Sequence, residues 1–204
     1  MKKLSTSSRI IIALLSLCII LTYFLPVWRI DLFAPQYPEG LVLKIWLNKL
    51  TGDVDIINGL NHYIGMKKLS NASFPEFSYL VYIVAAFIVY GLLISITGNR
   101  KLLFSYLVVS VLGGMLALYD FYKWGYDYGH NLNPEAPIKV PGMGYQPPII
   151  GHKKLLNFDA YSMPDVGGYV VVGVAVIFAL IWFTAYRKTS TRSVTSSTRA
   201  VSHR

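Results

Sequence analysis

FSYLVYIVAAFIVYGLLISI at residues 77–96, the turn TGNRK at 97–101 and LLFSYLVVSVLGGMLALYDFY at 102–122 decide the fold. A helix needs about 20 mostly apolar residues to cross the hydrocarbon layer of a membrane, and the run on each side of the turn reaches that length. The connection is so short that the two runs must form an antiparallel hairpin. Lipid offers the backbone no hydrogen-bond partner, so each run is expected as a continuous helix. Residues 10–28 and 166–186 share this length and character. The one charge within the four runs is Asp120, near the end of the third, beside Tyr119, Phe121 and Tyr122.

Composition agrees. The 204 residues are 54% hydrophobic and 14% charged, with a mean hydropathy of +0.47, which leaves too few polar groups to clothe a soluble domain of this length. Small residues recur in the runs: Gly91 and Ser95 in the second, Gly113, Gly114 and Ala117 in the third, Gly173 and Ala179 in the fourth. They let helix backbones approach, which is how membrane helices gain packing energy.

Charge gives an orientation. With the N-terminus inside, the cytoplasmic pieces hold Lys2, Lys3, Arg9, Arg100, Lys101, Arg187, Lys188, Arg192, Arg199 and Arg204 and no carboxylate, whereas all 10 Asp and Glu lie on the outer side. This asymmetry fits the positive-inside rule. The pI of 9.6 therefore reports topology and contact with anionic headgroups rather than nucleic acid. The N-terminal run is expected as an uncleaved anchor, because it ends at Leu25-Pro-Val-Trp28 without a small-x-small pattern. A single Cys18, inside that run, rules out an intramolecular disulfide.

The expected architecture is an all-α membrane protein. It has spans at 10–28, 77–96, 102–122 and 166–186, a cytoplasmic tail at 187–204, and extracytoplasmic loops at 29–76 and 123–165 that form a small, mostly irregular cap. In the first loop Leu41, Leu43, Ile45 and Leu47 alternate with Val42, Lys44 and Trp46, a period of two that predicts a short strand. Asp55 is placed to cap a short surface helix carrying Ile56, Leu60, Tyr63 and Ile64 on one side. The prolines of the second loop exclude a long helix there. Its Trp124, Tyr126, Tyr128, Tyr145, Phe158 and Tyr161 nonetheless need somewhere to pack, so order is expected.

Several chemistries are absent. No Walker A motif, nucleophile elbow, His-Glu-x-x-His or Cys-x-x-Cys occurs. None of His62, His130, His152 and His203 falls in a span, so haem between membrane helices lacks ligands. What remains is a set of imidazoles and thioethers on the outer side: His62 and Met66, four apart on one helical face, with His130, Met143, His152 and Met163 in the second loop. Thioether with imidazole suits copper, Cu(I) above all. The competing reading is structural, with each His bonded to backbone and each Met filling space. Asp127, His130 and His152 are the candidates for acid–base work on a lipid substrate, if they meet in one pocket.

The stretches APQYPEGL (34–41), INGLNHYIGM (57–66) and KVPGMGYQPP (139–148) resemble small, uncharacterised membrane proteins encoded beside nitrous-oxide reductase and its copper-maturation genes in bacteria. The resemblance spans both loops and all four helices. It implies a bacterial inner membrane, periplasmic loops, and copper or electron-transfer proteins as partners, and it assigns no catalytic residue. The expected function is accordingly a non-enzymatic accessory protein for periplasmic copper handling or reductase assembly. The alternatives are a structural subunit that docks protein partners through its outer cap and a lipid-acting membrane enzyme.

Overall fold

The computed structural model describes residues 3–139, 142 and 144–201. In chain order the elements are α1 (Thr6–Cys18), β1 (Trp28–Ala34), β2 (Tyr37–Ile45), β3 (Leu50–Gly52), α2 (Val54–Ile64), α3 (Leu80–Thr97), α4 (Arg100–His130), β4 (Gly151–Leu155), β5 (Phe158–Pro164) and α5 (Val166–Val201). Four helices are long and apolar enough to cross a membrane: Thr6–Tyr23, in which α1 tightens into a 3-10 turn, then Leu80–Thr97, Arg100–His130 and Val166–Arg187.

Local chemistry sets the ends of these helices. The Ser5 hydroxyl accepts from the Ser8 N–H at 3.2 Å and opens α1. Gly98, at φ +63, closes α3 with its N–H on the Ile94 carbonyl, and Asn99 Oδ1 accepts from the Lys101 N–H at 3.0 Å to open α4. That Gly-Asn pair makes the hairpin turn. Between the helices Ile12, Ile94, Leu103 and Phe178 are wholly buried, and apolar side chains such as Leu14, Val89, Leu116 and Val176 lie exposed on the outside of the bundle. Such an exposed apolar surface suits lipid and not water.

The cap overturns the expectation of an all-α protein. It is built on a five-stranded antiparallel sheet in the order β3-β2-β1-β5-β4, so the chain is mixed α/β. The two central strands continue directly from membrane-type helices. β1 follows the end of the first and β5 runs into α5, and where they meet the Val27 carbonyl accepts from the Asp165 N–H at 3.1 Å and the Pro26 carbonyl from the Gly167 N–H at 2.9 Å. Trp28 pairs with Pro164 in the register and its indole N–H donates to Ser162 Oγ at 2.9 Å.

One face of the sheet is covered. Ile30 opposes Leu43 and Leu32 opposes Leu41, so the alternating residues of β2 share this face with those of β1. Against it packs α2 through Ile57, together with Leu69 and Tyr128 from the outer end of α4. The short helix thus rests on the sheet, with Asp53 at its N-cap position and Asp53 Oδ2 accepting from the Val42 N–H at 2.8 Å. Helix α4 runs to His130, well into the Pro-rich second loop, because Trp124 and Tyr128 have this core to enter. The other face carries Phe33, Tyr161 and Met163, which are exposed, and Arg29 with the buried Asp31, whose carboxylate accepts from the Arg29 guanidinium at 2.7 Å.

Candidate functional site

Between the covered face of the sheet, α2, α4 and the second loop at Ile138, Tyr145 and Pro147 lies a cavity of about 310 Å³. The sheet contributes Ile30, Leu32, Leu43 and Phe158, α2 contributes Ile57, Leu60, Asn61 and Ile64, and α4 contributes Trp124 and Tyr128. Ile138, Tyr145 and Pro147 close it from the second loop, and Gln36, Leu156 and Asn157 border it at the two hairpin turns. Its size falls at the small end of the range for small-molecule sites.

The loop wall is pinned at four places. The Asn133 N–H donates to the Gly65 carbonyl at 2.8 Å, Ile138 N–H to the Tyr63 carbonyl at 2.9 Å, Tyr145 N–H to the Gly129 carbonyl at 2.9 Å, and Ser162 Oγ to the Ile149 carbonyl at 2.9 Å.

No Asp, Glu, Lys, Arg or His lines the cavity. Its polar groups are neutral. Burial is the largest influence on the Tyr128 phenol and pushes its pKa up, so it stays protonated, and its Oη donates to the Lys68 carbonyl at 2.7 Å. Two further lining residues carry buried polar atoms with no partner, Trp124 Nε1 and Tyr145 Oη. An unmade hydrogen bond on a buried donor costs about 1–3 kcal/mol, and both atoms are shut away from the open space of the cavity as well as from solvent. The cavity hangs from one end of the sheet: along β1 its lining runs from Ile30 outward to the turn at Gln36, away from the strand end at Trp28 that adjoins the membrane-type helices.

Of the proposed metal ligands, Met66 alone among the described residues also lines this cavity. His62 and Met66 border a second hollow with Asp55, Asn58, Gly59 and Lys68. His130, at the end of α4, has Nδ1 3.0 Å from the Tyr126 carbonyl and its ring stacked on Tyr126 at 4.1 Å. His152 sits on β4 with Nε2 2.7 Å from Asp159 Oδ1 and its ring stacked on Tyr161. Met163 shares that face, opposite Arg29, so the sheet stands between these two and the α2 pair. Met143 lies outside the described residues. Among the described residues no group of three or more His, Cys, Asp or Glu is placed to hold a metal ion. The acid–base trio is not assembled either. Asp127 is engaged by Lys67 and Asn131 on the α2 side of the cap, with His152 on the opposite face of the sheet.

Sequence reasoning missed the cavity because its lining is scattered from Ile30 to Phe158 with no motif among the members. The available signal was the aromatic content of the second loop, since Trp124, Tyr128 and Tyr145 are the residues that needed a core. No family model, curated protein or solved structure matches the chain. The resemblance to proteins encoded near nitrous-oxide reductase rests on the three quoted motifs alone.

Proposed function

We propose that this chain is a non-catalytic accessory protein of a bacterial cytoplasmic membrane, with both termini cytoplasmic, whose extracytoplasmic α/β cap binds an apolar ligand. The observation that carries the reading is the half-open cavity of about 310 Å³, lined mainly by apolar and aromatic side chains and, among the described residues, by none of the ionisable pairs that acid–base chemistry requires. Binding is what such a site does. The orientation is supported by the basic segments at 1–9, 98–101 and 187–204.

The test uses the full chain in lipid nanodiscs and the environment-sensitive fluorophore N-phenyl-1-naphthylamine. Saturable binding at one site per chain, abolished by Leu60→Trp, which fills the cavity, is the expected result. Fluorescence that rises only in proportion to lipid, and equally in the Leu60→Trp protein, removes the reading.

A second reading, copper handling, is favoured by one observation: His62 on α2 and Met66, just past the left-handed Gly65 that ends the helix, border the same hollow. Stoichiometric Cu(I) binding that disappears on combining His62→Ala with Met66→Ala would support it, and binding unchanged by that pair would end it.

A further inference from the structure

One side chain in the cavity wall breaks its apolar pattern. Asn61 lies one turn after Ile57 on the face of α2 that packs on the sheet, is 7% exposed, and lines the cavity. Asn58, three residues earlier, commits both ends of its amide to Leu69, donating to the carbonyl at 2.9 Å and accepting from the N–H at 2.6 Å. Among the described residues no group hydrogen-bonds to the Asn61 amide, and neither its oxygen nor its nitrogen is shut away as Trp124 Nε1 and Tyr145 Oη are. The open space it meets belongs to the cavity, because the hollow on the other side of α2 is bordered by Asp55, Asn58, Gly59 and His62 and not by Asn61.

In the empty protein this residue only weakens the fold. Asparagine is a poor helix former inside α2, and a buried amide without a partner has lost its water for no return. A local rule broken without structural gain marks a functional position. The other polar side chains open to the cavity already have partners: Tyr128 Oη donates to the Lys68 carbonyl, and Asn157 Nδ2 donates to Gln36 Oε1 at 3.1 Å. A carboxamide offers a donor and an acceptor side by side, and the group that answers both at once is a second amide. A charged head would find no counter-ion in the lining. Gln36, Tyr63, Ile138 and Asn157 line the cavity and are exposed, so water reaches it from the outer part of the cap.

Resting on the ligand-binding reading above, we infer that the occupant is a small, uncharged, mainly apolar molecule bearing one amide group, taken up from the aqueous side, and that Asn61 holds this group through a pair of hydrogen bonds. The volume suits such a molecule and not a two-chain lipid.

The experiment displaces N-phenyl-1-naphthylamine from the full chain in nanodiscs with three competitors of one shape, octanamide, octanoate and nonan-2-one, which differ only in the group beside the carbonyl. Octanoate is expected to need a concentration at least about tenfold above that of octanamide, as an uncompensated buried charge requires. Asn61→Leu is expected to weaken octanamide relative to nonan-2-one about tenfold, the worth of two hydrogen bonds; changes in fluorophore affinity cancel in this ratio. Asn61→Ala, which removes the amide without adding bulk, is expected to shift the ratio in the same direction. Asn61→Leu is also expected to resist sodium dodecyl sulfate better than the unaltered protein. A ratio unmoved in both variants, or octanoate as effective as octanamide, overturns the inference and leaves ligand binding standing. Displacement by ceramide built into the discs, as effective as that by octanamide, overturns the small-molecule assignment in favour of a bilayer lipid. Absence of any saturable fluorophore site removes the ligand-binding reading itself.

Discussion

Arg9 and Ser95 bond each other in both directions: Arg9 Nε donates to the Ser95 carbonyl at 2.7 Å, and Ser95 Oγ donates to the Arg9 carbonyl at 2.7 Å. Arg9 Nη2 also reaches the Ile96 carbonyl at 2.6 Å, so one guanidinium serves the last turn of α3, where carbonyls are unpaired and the helix dipole is negative. A residue that counts in the sequence as a topology signal is here a helix cap. Arg9→Ala is expected to lower stability by about 2 kcal/mol, the loss of charge-assisted bonds, and Arg9→Lys by less, since a point charge replaces a planar fork. Unfolding by sodium dodecyl sulfate titration measures both, and equal losses would show that the guanidinium fork, and not its charge, is what matters at this position.

Gly91 and Ser16 place α1 against α3. A Cβ on Gly91 would lie 2.1 Å from Ser16 Oγ and 3.0 Å from Ser16 Cβ, while Ser16 Oγ is already committed to the Ile12 carbonyl at 2.7 Å. Gly91→Ala should therefore separate the helices, at about 1–3 kcal/mol for overpacking, and Ser16→Ala should restore part of the loss in the double variant by removing the nearest atom. Gly114→Ala, where nothing lies within 4 Å, is the neutral comparison. The same titration reads all three, and an unaltered Gly91→Ala protein would contradict this packing.

Lys67 and Asp127 tie the segment after α2 to the outer end of α4. The hydrogen bond from Lys67, then that from Asn131, holds the Asp127 carboxyl below its ordinary value. The folded-state pKa is thus depressed, so the contribution to stability is present above the unfolded value of about 4 and is lost as pH falls through the folded one. Both groups are roughly half exposed, which keeps the effect small and salt-sensitive. Lys67→Met is expected to raise the Asp127 pKa, read by carboxyl carbon NMR, and to cost stability at pH 7 but not at pH 3. A cost that persists at pH 3 would assign the effect to packing of the lysine stem.

The parts of this fold that follow from local pattern were legible, and those that depend on distant pairing were not. The apolar runs flanking Gly98 and Asn99 announce themselves by length alone, and the alternation at Leu41, Leu43 and Ile45 marks β2. β1 alternates too, but the apolar run expected as the first span ends on its first residue, Trp28, and hides where the strand begins. β5 gives no signal, because the residues it turns inward are Ala160 and Ser162, both fully buried yet neither a strong hydrophobe. They are buried because Ala160 pairs with Leu32 and Ser162 with Ile30, partners more than a hundred residues away. The cavity is harder still to foresee. It exists only where β1, α2, α4 and the second loop meet, and the sheet that separates His152 and Met163 from His62 and Met66 is equally invisible in the local pattern.

Gly129 and Gln146 test how the cavity is closed. A Cβ on Gly129 would meet the Gln146 backbone nitrogen at 2.3 Å and its Cα at 2.6 Å, and Gln146 lies between Tyr145 and Pro147, both of which line the cavity. Backbone cannot rotate aside as a long side chain can, so Gly129→Ala must push residues 144–147 off α4 and break the bond from the Tyr145 N–H to the Gly129 carbonyl. The expected result is a loss of about 1–3 kcal/mol together with a several-fold fall in fluorophore affinity, although alanine favours the helix itself. Gly125→Ala, one turn earlier, meets only Gln146 Cγ at 3.7 Å and Nε2 at 3.9 Å, ordinary contacts. There the gain in helix propensity of up to about 1 kcal/mol acts unopposed. The two glycines, on one face of one helix, are thus expected to respond with opposite signs, and calorimetry showing the same sign at both would mean that the second loop does not seal against α4.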